Sequence, residues 1–125
     1  MVSVEVDNRS GADVDATEAV RLAQRVLERE GITEGELGLH FVAPDEIRAL
    51  KRHHLDVDEA TDALAFPIDE RESLPDGLPR QLGDAVLCPQ VVGDDWRGPL
   101  VHALLHLLGH DHGAEMEERE RIHTS

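Results

Sequence analysis

Ten residues near the C-terminus constrain this chain most. From Pro99 to Leu108 they read Pro-Leu-Val-His-Ala-Leu-Leu-His-Leu-Leu, apolar apart from the two histidines and the opening proline. The stretch predicts a helix, with proline in its first turn and Gly109 as its breaker. A helix this apolar has little face to show to water and must be buried. The rest of the chain has to cover it. At 125 residues there is material for one domain, residues 1–125, able to bury about two-thirds of its unfolded surface. Apolar residues make up 40%, enough for a core without a covalent staple. The single cysteine, Cys88, excludes an intrachain disulfide and an all-cysteine metal site.

The covering layers are readable from periodicity. Val2 to Val6 alternates like a half-buried strand. Asp13 or Asp15 is placed to cap a helix over Ala16 to Glu30, where Val20, Leu22, Ala23, Val26 and Leu27 recur at helical spacing and Gly31 ends the run. Leu37 to Val42 predicts a second strand, and Pro44-Asp45-Glu46 opens a helix running to about Leu55. Asp62 to Ile68 and Leu82 to Cys88 predict two more strands, separated by a polar loop over Asp69 to Arg80. Ala114 to Ile122 predicts a short charged last helix. The order β-α-β-α-β-β-α-α predicts an α+β fold. About four strands form one mixed sheet, packed by helices, with the metal site on the C-terminal helix and the loop after it.

Charge and composition narrow the function. The net charge is −15, from 27 acids against 12 bases, which argues against a non-specific nucleic-acid binder and leaves room for a local basic patch. Arg48, Lys51, Arg52, His53 and His54 read as the one basic cluster, with a solvated helix face as its plainer explanation. Three aromatics, Phe41, Phe66 and Trp96, are too few for a base-stacking platform. No apolar run approaches the roughly 18 residues of a membrane span. Met1 to Ser10 lacks the basic and apolar regions of a secretory signal. The expectation is a cytoplasmic protein that touches no membrane.

Histidine is the outlier: four of the chain's eight lie between His102 and His112. His102 and His106 are four apart, on one helix face about 6 Å apart along the axis. That is the bite a single ion needs. Gly109 can turn the chain so that His112 folds back to the same ion. Three imidazoles with an open fourth position make a catalytic zinc shell, in which the pKa of water drops to about 7. One zinc ion per chain is expected; nickel or cobalt would also suit the donors. A histidine pair alone is more often accidental. The apolar helix, the breaker and the third histidine separate this one from that background. His110 is then a surface residue or one that supports a ligand from behind. Asp111 either orients an imidazole or caps the last helix. The spacing His-x-x-x-His-x-x-Gly-x-x-His is also that of metzincin peptidases, which need a glutamate after the first histidine; Ala103 stands there.

Three blocks in order resemble the YbeY family of bacterial endoribonucleases and rRNA maturation factors. His102 to His112 is similar to the family signature, which has Gly after the first His and Tyr after the Gly. Ala60-Thr-Asp-Ala-Leu-Ala-Phe-Pro67 is similar to its P-T-D-V-L-S-F-P block, and Leu82-Gly-Asp-Ala-Val-Leu-Cys-Pro89 to its L-G-D-I-V-I-C strand. The resemblance covers about Leu37 to Met116, and more loosely the chain from Met1. It implies zinc on His102, His106 and His112. It also implies metal-dependent, single-strand-specific RNA cleavage in 16S rRNA 3′ end maturation and ribosome quality control. The implied partners are single-stranded rRNA and the small ribosomal subunit, with no DNA.

The chain departs from that pattern in three places. Leu55 occupies the position of a family arginine linked to activity, and the basic stretch after it is acidic. Arg52, or Lys51, one turn earlier is the candidate substitute, so Arg52 and Asp111 are the candidate catalytic contributors. Ala65 replaces the serine of the second block. The segment Gln90 to Val101 is about ten residues short, nearly three helical turns. Two other readings follow: a non-catalytic ribosome-associated factor with a structural metal, and, with Ala103 against it, a metallopeptidase. His40 reads as a core or edge histidine. Asp62 and Asp84 read as structural hydrogen-bonders with no basic partner that sequence can place. Cys88 reads as an inert buried thiol. Asp56-x-Asp58-x-x-x-Asp62 lacks the glycine and glutamate of a calcium loop.

Overall fold

The computed structural model describes residues 2–55, 63–68, 80–92, 96–108 and 121, the side chains of 53–55 excepted. Four strands, β1 (Ser3–Asn8), β2 (Glu36–Phe41), β3 (Ala63–Pro67) and β4 (Gln81–Leu87), are joined by helices α1 (Ala16–Arg29), α2 (Pro44–Leu55), α3 (Pro89–Val92) and α4 (Arg97–Leu107). The α+β fold is as expected from sequence. One helix is new: α3 is a single turn after Pro89, closed by the Val91 and Val92 amides donating to the Cys88 carbonyl. Four residues carry too little periodicity to be read in advance. Of the predicted last helix only residue 121 is described.

The strands form one sheet in the order β1-β2-β4-β3. β1 and β2 are parallel, as are β2 and β4, while β3 runs antiparallel to β4. The sheet is thus mixed, with its antiparallel strand at an edge. Pro67 ends that edge strand, where a missing amide costs no ladder bond.

Burial follows the pleat. In β2, Leu37, Leu39 and Phe41 point one way and are buried, while Gly38 and His40 point the other way. The buried side meets α1 and α4 in one cluster with Ala85 and Leu87 of β4. The opposite side carries a smaller cluster of Val42, Ile47, Leu64, Val86 and Cys88, with Leu50 and Phe66 against it, and this is where α2 packs. So α1 and α4 share one sheet face and α2 takes the other.

Each long helix reflects its place. α1 is amphipathic, with Ala19, Leu22, Ala23, Val26 and Leu27 buried, and of the two candidate caps it is Asp15 whose carboxylate accepts the Glu18 amide at 3.1 Å. α4 is buried on nearly every side through Leu100, Val101, Ala103, Leu104, Leu105 and Leu107, as its composition demands.

Candidate metal centre

The two histidines of α4 are positioned by how its N-terminal end is held. Trp96, the residue before the helix, is buried and meets Phe41 of β2 edge-on, with centroids 5.8 Å apart. Arg97 lies 5.0 Å over the Trp96 ring, and its Nε donates to Glu18 of α1 at 2.6 Å. These contacts tie the start of α4 to the sheet and to α1. The helix then runs across β3 and β4. Leu108 closes it, its amide reaching the carbonyls of Leu104 and Leu105.

His102 and His106 are half-buried, whereas the residues between them are in the core. Their rings meet edge to face with centroids 4.7 Å apart, and the two Nε2 atoms stand 3.1 Å apart. Two nitrogens bound to one tetrahedral ion at 2.0–2.1 Å would stand about 3.3 Å apart. The pair therefore has nearly the spacing of a bidentate ligand, and its donor chemistry suits zinc. Among the described residues no group of three or more His, Cys, Asp or Glu side chains is placed to hold a metal ion. His112, the expected third ligand, and Gly109, His110 and Asp111 lie outside the described residues.

Ala103 is 1% exposed and belongs to the core, so the position where a metzincin carries its glutamate holds a packed methyl group. Arg52, the other candidate contributor, is exposed in the last turn of α2, on the helix that packs against the opposite sheet face from α4.

The structure supplies the partner that sequence could not give Asp84. His40 Nε2 lies 2.8 Å from Asp84 Oδ1, and His40 Nδ1 lies 3.6 Å from Asp7 Oδ2. Arg9 joins Asp7 to Glu46 of α2. Hydrogen bonding to Glu46 raises the Arg9 pKa above its ordinary value. His40 is thus neither a core histidine nor one on an edge strand: it stands on β2, inside the sheet, on the face away from α4. Beside it is a cavity of about 230 Å³ lined by Glu5, Glu36, Gly38, Asp84 and Ile68, among others. Sequence reasoning missed this group because its three members come from three strands whose order the sequence does not state.

Sequence reasoning also missed a second basic cluster. Arg21, Arg25 and Arg29 are all exposed on α1. Their spacing at i, i+4 and i+8 was the available signal. The α2 group is therefore not the chain's one basic cluster.

The described parts of the three sequence blocks, far apart along the chain, are neighbours in space. β3 and β4 pair along their length, and α4 packs across both. With that arrangement established, the likeness to known proteins is specific. The profile of the family described as Endoribonuclease YbeY matches residues 5–125. This chain belongs to the YbeY family. It is 38% identical to an Endoribonuclease YbeY of Acidothermus cellulolyticus, over 95% of this chain and 84% of that one. It is 35% identical to one of Salinispora tropica, over 95% of this chain and 88% of that one. A solution structure of TM1509 from Thermotoga maritima shares the fold, with a TM-score of 0.57 at 22% identity, over 98% of this chain and 86% of that one. The Salinispora alignment spans 139 positions against a chain of 125 residues, so this YbeY chain is the shorter partner. Between β4 and α4 it has the single turn of α3 and residues 93–95, which lie outside the described residues.

Proposed function

We propose that this chain is a metal-dependent, single-strand-specific endoribonuclease acting in 16S rRNA 3′ end maturation and ribosome quality control. It works in the cytoplasm on single-stranded rRNA and the small ribosomal subunit. One zinc ion per chain is held by His102, His106 and His112. The observation that carries this reading is the 3.1 Å convergence of the His102 and His106 Nε2 atoms, in a chain of the YbeY family. Among the described residues no helix is long and apolar enough to cross a membrane, which fits the proposed location.

Held by His102, His106 and His112, a zinc ion would supply Lewis acidity to the site. The protein's own residues do the rest. The buried body of α4 holds the backbone that carries both imidazoles, and metal binding would replace the hydrogen bond between their Nε2 atoms. The half-burial of both imidazoles lowers the local dielectric and strengthens charge interactions at the site. Arg52, on the helix that packs against the other sheet face, is the candidate for contacting a phosphate of the RNA away from the histidine pair, and Asp111 for orienting an imidazole.

The test combines metal content with cleavage. Wild type should carry one zinc per chain and cut single-stranded rRNA fragments in preference to duplex. His106→Ala should lose both the metal and the cutting. Intact RNA after incubation with zinc-replete wild type would sink the nuclease reading. Leu55, at the place of the family arginine, favours a second reading: a non-catalytic ribosome-associated factor. That reading predicts co-sedimentation with the small subunit that survives His112→Ala in a folded protein.

A further inference from the structure

Arg21, Arg25 and Arg29 lie one turn apart on the outer side of α1, opposite the buried Ala19, Ala23 and Val26. Successive members are about 6 Å apart along the axis, close to the step between neighbouring phosphates of an extended strand. Among the described residues none of the three guanidinium groups makes an ion pair or a hydrogen bond. That is notable in a chain with 27 acids against 12 bases. The nearest acids do not neutralise the row. Glu18 is committed to Arg97, and Glu28 is exposed beside the row without pairing to it. Like charges four residues apart destabilise a helix, so the row works against the stability of α1. An external polyanion would turn that cost into attraction.

The placement identifies which polyanion. α1 packs beside α4 on the same sheet face, so the helix that carries the row and the helix that carries the His102–His106 pair lie on one side of the sheet. On the opposite face the acidic cavity around Glu5, Glu36 and Asp84 repels RNA, Arg9 is tied to Asp7 and Glu46, and Lys51 and Arg52 of α2 are already engaged. We propose that the outer side of α1 is a subsite for the sugar-phosphate backbone of single-stranded RNA, holding nucleotides remote from the bond that is cut. This rests on the endoribonuclease reading above. Guanidinium groups suit the role because each can bond a phosphate through two N–H groups at once. The row supplies locally the attraction that the net charge denies globally.

The experiment compares initial cleavage rates of full-length wild type with those of Arg21→Gln/Arg25→Gln/Arg29→Gln. Two unstructured RNAs are used, one of a few nucleotides and one several times longer, across a salt series. Glutamine is nearly as good a helix former as arginine, and circular dichroism checks that α1 persists. On the long RNA the variant should show a raised KM at low salt with kcat unchanged. Its dependence of log kcat/KM on log salt should be shallower by about 2, at about 0.7 for each phosphate no longer neutralised. On the short RNA the two proteins should match. The triple Arg→Lys variant should keep most of the wild-type salt slope, since it keeps the charge.

Identical KM and salt slope on the long RNA would overturn the subsite while leaving the nuclease reading intact. Failure of wild type to cut either RNA would overturn the nuclease reading and this inference with it. Lost binding to phosphatidylserine vesicles with unchanged RNA kinetics would assign the row to a membrane surface and overturn the proposal.

Discussion

Two glycines on neighbouring strands leave room for different things. Gly83, on β4, has φ +123°, and a Cβ there would run into the backbone carbonyl of Phe66 on β3. That carbonyl cannot move without opening the β3–β4 ladder. Gly83→Ala should therefore cost at least about 2 kcal/mol, combining backbone strain with overpacking. Gly38, on β2, has an ordinary φ, and a Cβ there would meet the Asp84 carboxylate and the His40 ring. Those side chains can swing away, so Gly38→Ala should cost only about 1 kcal/mol, roughly one hydrogen bond. Denaturant unfolding of both variants checks the contrast. Equal losses would mean that the His40–Asp84 pair is held more rigidly than its half-exposed position implies.

The two helices that flank each other on one sheet face draw their stability from different sources. α1 has one apolar side and a solvated start, so its cap matters. Asp15→Ala should cost about 1 kcal/mol by orphaning the Glu18 amide. α4 has little solvated side, so packing is nearly its whole support. Leu104, fully buried, should cost about 2–5 kcal/mol when cut to alanine. A thermal melt of each variant orders the two; a larger loss from the cap would contradict the burial of α4. The Arg97–Glu18 link between these helices is exposed, and pairs of that kind contribute about 0–1 kcal/mol. Its importance is in setting where α4 begins, five residues ahead of His102.

At the scale of the molecule, metal and fold should be coupled, because the helix that offers the imidazoles also fills the core. A ligand that binds only the native state stabilises it by about 2.7 kcal/mol at a hundredfold excess over its Kd. For a domain of this size that raises Tm by several degrees. Zinc added to chelator-treated wild type should therefore raise Tm, and the same addition to His106→Ala should not. An unchanged wild-type Tm would remove zinc from the account of this site. The Asp7–His40–Asp84 group lies on one face of the sheet, while α1 carries its arginines on the outer side of the other.

Local pattern was enough for much of this architecture. β1 and β2 alternate with period two and α1 recurs near 3.6, while β3, β4 and α4 are apolar runs bounded by Pro or Gly, so their existence and approximate limits were legible in the chain. The pairing of His102 with His106 was legible for the same reason, because a helix brings residues four apart together whatever surrounds it. α3 was not legible, since one turn leaves no period to detect. The arginine row on α1 was legible in spacing, yet that it is unpaired depends on Glu18 turning to Arg97, a contact between residues 79 apart. The partner of Asp84 depends on the strand order β1-β2-β4-β3, which sets His40 beside a residue 44 positions away. Sequence determined which elements form and which side chains share a helix face, because those follow from local geometry. Tertiary structure alone decided which strands lie side by side, which sheet face α4 covers and which charges meet, because those depend on burial between distant parts of the chain.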